Sequence, residues 1–185
     1  QKYTIKRQFF KLVGGAFRLY DTEENLCFYV EQKAFKLKED IRVYGDEAKT
    51  EELLTINARS ILDFSAIYDV TDSKNGQKIG SLKRRGFKSF LQDEWEILNT
   101  NDEAIGLIKE DSALMATLRR LLTNLIPQEF YGYIGDKAVW HFKQNFNPFT
   151  IHIDLDMTLD TNDQMDDRMG IGAAVLLCAV EGRQE

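Results

Sequence analysis

Six aspartates crowd one stretch near the end of the chain: Asp154, Asp156, Asp160, Asp163, Asp166 and Asp167. Hard cations such as calcium are held by several carboxylate and carbonyl oxygens at once, so Asp154, Asp156 and Asp160 are candidate metal ligands. An EF-hand loop begun at Asp156 departs from the pattern at two points. Thr161 stands at the sixth position, where the loop needs glycine, and Asp167 stands at the twelfth, where a longer Glu is usual. A second reading needs no metal. Asp154 and Asp156 alternate with Ile153 and Leu155, which puts them on the wet face of a strand. Asp163, Asp166 and Asp167 precede a helical segment, where carboxylates favour the positive end of the dipole.

Lys83, Arg84, Arg85 and Lys88 form a basic cluster interleaved with Phe87 and Phe90. Basic side chains beside an anionic membrane each contribute about 1 kcal/mol, so these four are candidate headgroup contacts. Their other reading is a solvated strand edge, where Lys guards against edge-to-edge pairing. His141 lies between Trp140 and Phe142, and His152 between Ile151 and Ile153. Two histidines without a spaced third ligand make no zinc pattern, and neither has a nucleophile with its orienting group nearby in sequence. No catalytic residue is assigned. Gly14-Gly15 is not followed by GK[ST], so it reads as a turn, not a phosphate cradle. Nothing calls for a cofactor. Cys27 and Cys178 sit in apolar patterns with no CxxC spacing and read as buried free thiols, as in a reducing cytosol, a bridge between them being the alternative.

The elements that must position these residues are mostly strands. The chain has 185 residues, enough for one domain (1–185) with a sizeable core, and its 43% hydrophobic content is that of a globular protein. A formal net charge of -6 disfavours bulk nucleic-acid binding, which depends on neutralising phosphates. No basic n-region with an apolar stretch opens the sequence, so the expectation is a cytoplasmic protein, at most peripheral to a membrane.

Short aromatic and β-branched runs predict twelve strands: Tyr3–Phe10, Ala16–Asp21, Leu26–Lys33, Asp40–Tyr44, Glu52–Arg59, Ser65–Thr71, Gln77–Arg84, Glu94–Asn99, Ala104–Glu110, Glu129–Ile134, Ala138–Gln144 and Phe149–Leu159. Asn75-Gly76 and Gly135-Asp136 mark hairpin turns. In the last strand Ile151, Ile153, Leu155, Met157 and Leu159 share one face. A helix from about Ser112 to Ile126 carries Leu114, Leu118, Leu121, Leu122 and Leu125 on one side and is stopped by Pro127.

From Met169 to Val180 every residue is apolar or glycine. A helix without a polar face must be wrapped by protein or lipid. At about 1.5 Å per residue it reaches about 18 Å, short of a bilayer core of about 30 Å, so no transmembrane span is expected. A meander of about twelve strands closes into a barrel too wide for its own side chains to fill. The fold class that results is mainly β: a closed antiparallel β-barrel of about twelve strands around a buried hydrophobic C-terminal helix. Met169, Ile171, Ala174, Val175, Leu177 and Cys178 are the expected core of that helix, and one further amphipathic helix lies outside the barrel or plugs an end.

An ordered series of short motifs resembles the LURP-one-related family: Phe17-Arg18-Leu19-Tyr20-Asp21, then Leu26 with Tyr29-Val30 and Lys33, Ile79-Gly80-Ser81-Leu82 with Lys83-Arg84, Trp95-Glu96-Ile97, and Asp166-Asp167-Arg168 before the apolar segment. That resemblance implies the Tubby C-terminal-like superfamily, which includes phospholipid scramblases, and a twelve-stranded barrel around a hydrophobic helix. It brings no catalytic residues. Scramblases are similar at the aspartate-rich segment, where calcium binding has been proposed, and Tubby domains bind phosphoinositides through basic side chains. The expected function is therefore a non-enzymatic binding or regulatory module docking on anionic lipid headgroups or a protein partner. The alternative is a small-ligand or metal-binding barrel, or an enzyme with its site at a barrel mouth.

Overall fold

The computed structural model describes residues 1–10, 14–33, 40–62, 65–85, 94–110, 128–145 and 152–181. The strands are β1 (Lys2–Phe10), β2 (Gly14–Tyr20), β3 (Leu26–Lys33), β4 (Asp40–Tyr44), β5 (Glu52–Leu62), β6 (Ser65–Asp72), β7 (Lys78–Arg85), β8 (Glu94–Leu98), β9 (Ala104–Glu110), β10 (Gln128–Ile134), β11 (Lys137–Asn145) and β12 (His152–Asp156). Each pairs antiparallel with its neighbour in sequence, and β1 pairs with β12 to close the barrel. Closure removes both edges, so none of the described strands is left to recruit another chain. Helix α1 (Asp167–Glu181) follows β12. The amphipathic segment expected at 112–126 lies outside the described residues, as do Phe87, Lys88, Phe90 and Ile151.

Period-two alternation fixes which side chains face inward. Ile5, Phe17, Val30, Ile41, Ile56, Val70, Leu82, Trp95, Ile108, Phe130, Phe142 and Ile153 come one from each strand and are all buried in one cluster. The six helix residues expected in the core, Met169, Ile171, Ala174, Val175, Leu177 and Cys178, join the same cluster. Two glycines show that α1 runs along the barrel axis. A Cβ on Gly170 would lie 2.6 Å from the Met157 sulfur, just past β12, and 3.1 Å from the Trp140 indole nitrogen on β11. A Cβ on Gly172 would lie 3.2 Å from Val70 of β6 and 3.7 Å from Ile56 of β5. Residues two apart on a helix point about 200° apart, and β5–β6 stand half-way round the ring from β11–β12. The helix therefore touches both walls, and glycine at these positions lets its backbone do so.

Particular groups meet each end of the helix. Asp166 caps the start: its carboxylate accepts from the Arg168 N–H at 2.9 Å, and its carbonyl from the Met169 N–H at 2.9 Å. The last turn carries no basic residue of its own. Instead Arg7, buried on β1, donates from Nη1 to the Cys178 carbonyl at 3.0 Å and lies over the Phe17 ring at 5.4 Å. A cation at the negative end of the dipole is thus supplied by the barrel wall.

Three sequence expectations are corrected. The last strand ends at Asp156, and Leu159 is 40% exposed, because the chain turns there with Thr161 N–H donating to the Leu159 carbonyl. Gly14-Gly15 is the start of β2, not a turn, and Gly15 lies beside the side chains of Arg7 and Gln32. Cys27 is half-buried, whereas Cys178 is buried, its thiol pushed up to about 12 by burial. Of the turn signals, Gly76 and Gly135 adopt positive φ as expected.

Replacing Ala174 or Leu176 by Asp places an uncompensated charge between helix and wall, at a cost of several kcal/mol. Both variants should lose the folded state, read as loss of the cooperative thermal transition. Gly170→Val should remain folded but lose about 1–3 kcal/mol through overpacking against Met157 and Trp140, measured by chemical denaturation.

Candidate functional site

With α1 filling the interior, the polar side chains available for recognition lie on the outer wall and at the barrel ends. The basic cluster is divided by strand alternation. Lys83 and Arg85 point outward, whereas Arg84 shares the side of Leu82 and is in register with Trp95, both buried. The two outward cations are closed on glutamates of β8: Lys83 to Glu96 at 3.1 Å, Arg85 to Glu96 at 2.6 Å and to Glu94 at 3.3 Å. Burial acts to raise the Glu96 carboxyl, but hydrogen bonds from Arg85 and Lys83 outweigh it and hold the group below the usual range. The outward part of this patch is locally balanced in charge.

The three candidate metal ligands are engaged separately. Asp154 accepts from the Thr4 hydroxyl at 2.7 Å on β1. Asp156 pairs with Lys2 at 2.7 Å and accepts from the Thr158 N–H and hydroxyl. Asp160 accepts from the Met165 N–H at 2.8 Å within the turn before α1. Among the described residues no group of three or more His, Cys, Asp or Glu is arranged to hold a metal ion. Asp166 is the helix cap, and Arg168 ties it to Asp72 of β6 at 2.7 Å.

What the structure does bring together is a set of charges over β11, β12 and β1. A half-open groove of about 240 Å³ lies there, lined by Lys2, Thr4, Asp21, Thr22, His141, Lys143, Asp154 and Asp156. His141 stacks on Tyr131 with ring centroids 4.5 Å apart, and its Nε2 lies 3.1 Å from Glu129 of β10. His152 is on the outer face of the same strand as Asp154, opposite Lys6 and Asn145.

Sequence reasoning passed over a second outer-wall network. Arg59 of β5 binds Asp69 of β6 at 2.9 Å and Asp102 of the β8–β9 turn at 2.8 Å, and reaches the buried Ser81 hydroxyl of β7 at 3.2 Å. Ser81 in turn donates to Asp69 at 2.7 Å. Hydrogen bonds from Arg59 and Lys78 hold the Asp102 carboxyl far below the usual range. The network staples three strands and a turn, and its members are scattered over 43 residues of sequence, which hides it. Alternation alone marks Arg59 and Asp69 as outward, but not as partners.

A closed antiparallel barrel threaded by an apolar helix defines the class. Residues 26–176 match the model of the LURP-one-related family, and the chain belongs to that family. No curated protein and no solved structure matches it. No helix among the described residues is long and apolar enough to cross a membrane.

Asp156 titrates in a range that links this wall to stability. Burial raises its pKa, but hydrogen bonds from Lys2 and Thr158 dominate and bring it down to about 2. A depressed carboxylate stabilises the fold above its unfolded pKa of about 3.9, and that stability is lost as pH falls through the folded value. Asp156→Asn should therefore be less stable at neutral pH and show a shallower loss of stability between about pH 4 and pH 2, followed by urea denaturation at each pH.

Proposed function

We propose that the chain is a non-enzymatic binding module that engages a partner through the outer wall of its barrel, the partner being a protein. One observation carries this reading: α1 occupies the axis from wall to wall, so the space in which wide barrels hold substrates is taken up by the protein itself. The family match supports a shared fold. A second reading, docking on anionic headgroups through Lys83, Arg84, Arg85 and Lys88, draws on the basic cluster. The glutamate pairing of Lys83 and Arg85 disfavours it, because a bilayer would have to compete with Glu94 and Glu96 for those cations.

Vesicle flotation separates the two. The protein reading predicts no more binding to anionic than to neutral vesicles at low salt. Glu94→Gln combined with Glu96→Gln frees both cations and should create salt-sensitive flotation with anionic vesicles. Salt-sensitive flotation of the unmodified chain, abolished by Lys83→Ala with Arg85→Ala, would replace the protein reading with the lipid one.

A further inference from the structure

We infer that the seam between β11 and β12 is a binding site for a small zwitterion, with its ammonium on Asp154 and its carboxylate on Lys143. The register sets His141 opposite Asp156 and Lys143 opposite Asp154. Opposite charges facing each other across antiparallel strands ordinarily pair. Neither pair closes here. His141 and Lys143 both lean away to Glu129 on β10, at 3.1 Å and 3.5 Å. Asp156 and Asp154 lean the other way, to Lys2 at 2.7 Å and the Thr4 hydroxyl at 2.7 Å on β1. Two successive rungs are thus parted in the same sense, with His141 and the Lys143 ammonium on one bank and two carboxylates on the other. The groove of about 240 Å³ lies over this seam.

The banks also have unused hydrogen-bonding capacity. Among the described residues, Asp154 Oδ2 has no hydrogen-bond partner, and Lys143 has only its long contact to Glu129. A simple anion entering the groove meets Asp21, Asp154 and Asp156, and a simple amine meets Lys143 and Lys2. A molecule with both charges satisfies the two banks together, through charge-assisted hydrogen bonds at each end. The groove is smaller than the roughly 300–1,000 Å³ of pockets for drug-sized ligands, which points to a ligand of amino-acid size. This site is separate from the docking role proposed above and stands or falls independently of it.

The test is a titration of the ¹⁵N-labelled chain, followed by backbone amide shifts. The probes are glycine, β-alanine and 4-aminobutyrate, with butyrate and butylamine as singly charged controls. The expected result is saturable shifts at His141, Lys143 and Asp154 with at least one zwitterion and with neither control. Lys143→Gln and Asp154→Asn should each weaken binding about tenfold or more, while Lys109→Gln, outside the groove, leaves it unchanged. Absence of saturable shifts with all three zwitterions, equal shifts with butyrate or butylamine, or undiminished binding in both seam variants would overturn the assignment. Both substitutions are on the solvent face, and unchanged melting of each confirms that the fold is retained.

Discussion

A helix with no polar face has to be enclosed, and the rest of this structure follows from that requirement. From Met169 to Ala179 every described side chain is buried. Large residues such as Ile171, Leu176 and Leu177 each contribute about 1.5–3 kcal/mol when taken fully out of water. A twelve-stranded barrel has the converse need: its walls stand too far apart for their own side chains to meet. Helix and barrel therefore complete each other's core, and neither has a plausible stable form alone. The small residues of α1 set how closely the two approach. Gly170 and Gly172 bring backbone against opposite walls, while Ala173 and Ala174 keep the intervening faces narrow.

Such a core needs its helix ends managed, because carbonyls and N–H groups buried without partners are costly. The solutions at the two ends differ. At the start, Asp166 caps the helix locally, and Arg168 carries the connection onward to β6 through Asp72. At the other end the barrel supplies Arg7, whose guanidinium meets the Cys178 carbonyl. Arg7 thus couples β1, the first strand, to the last helix. The buried Cys178 thiol beside it stays protonated, as burial demands, and packs as a small apolar group.

Much of the architecture was legible because strand alternation and hairpin turns are local signals. Leu26–Lys33, Asp40–Tyr44 and Ala104–Glu110 are read from their patterns to the residue. The apolar run at Met169–Val180 identifies the core helix by composition alone. Leu159 was misplaced because apolar alternation continues past Asp156 in sequence, whereas Asp156 and Asp160 stitch the backbone into a turn there. The basic cluster looked like one patch because sequence adjacency ignores the pleat, which turns Arg84 away from Lys83 and Arg85. Arg7, Arg59 and the parted His141–Asp156 and Lys143–Asp154 rungs are non-local. They depend on barrel closure and register, which no segment of the sequence declares.

With the interior filled, the outer wall is where paired, stacked and parted charges are found. That conclusion rests on α1 being an integral part of the core, not an element resting in a groove from which it can leave. Native-state hydrogen exchange tests this most directly, because it reports the smallest opening that exposes each amide. The account predicts that amides from Ile171 to Ala179 exchange only through global unfolding, with the same free energy and denaturant dependence as the slowest amides of β1 and β12. Exchange of those helix amides through a separate, lower-energy opening while the barrel strands remain protected would contradict it.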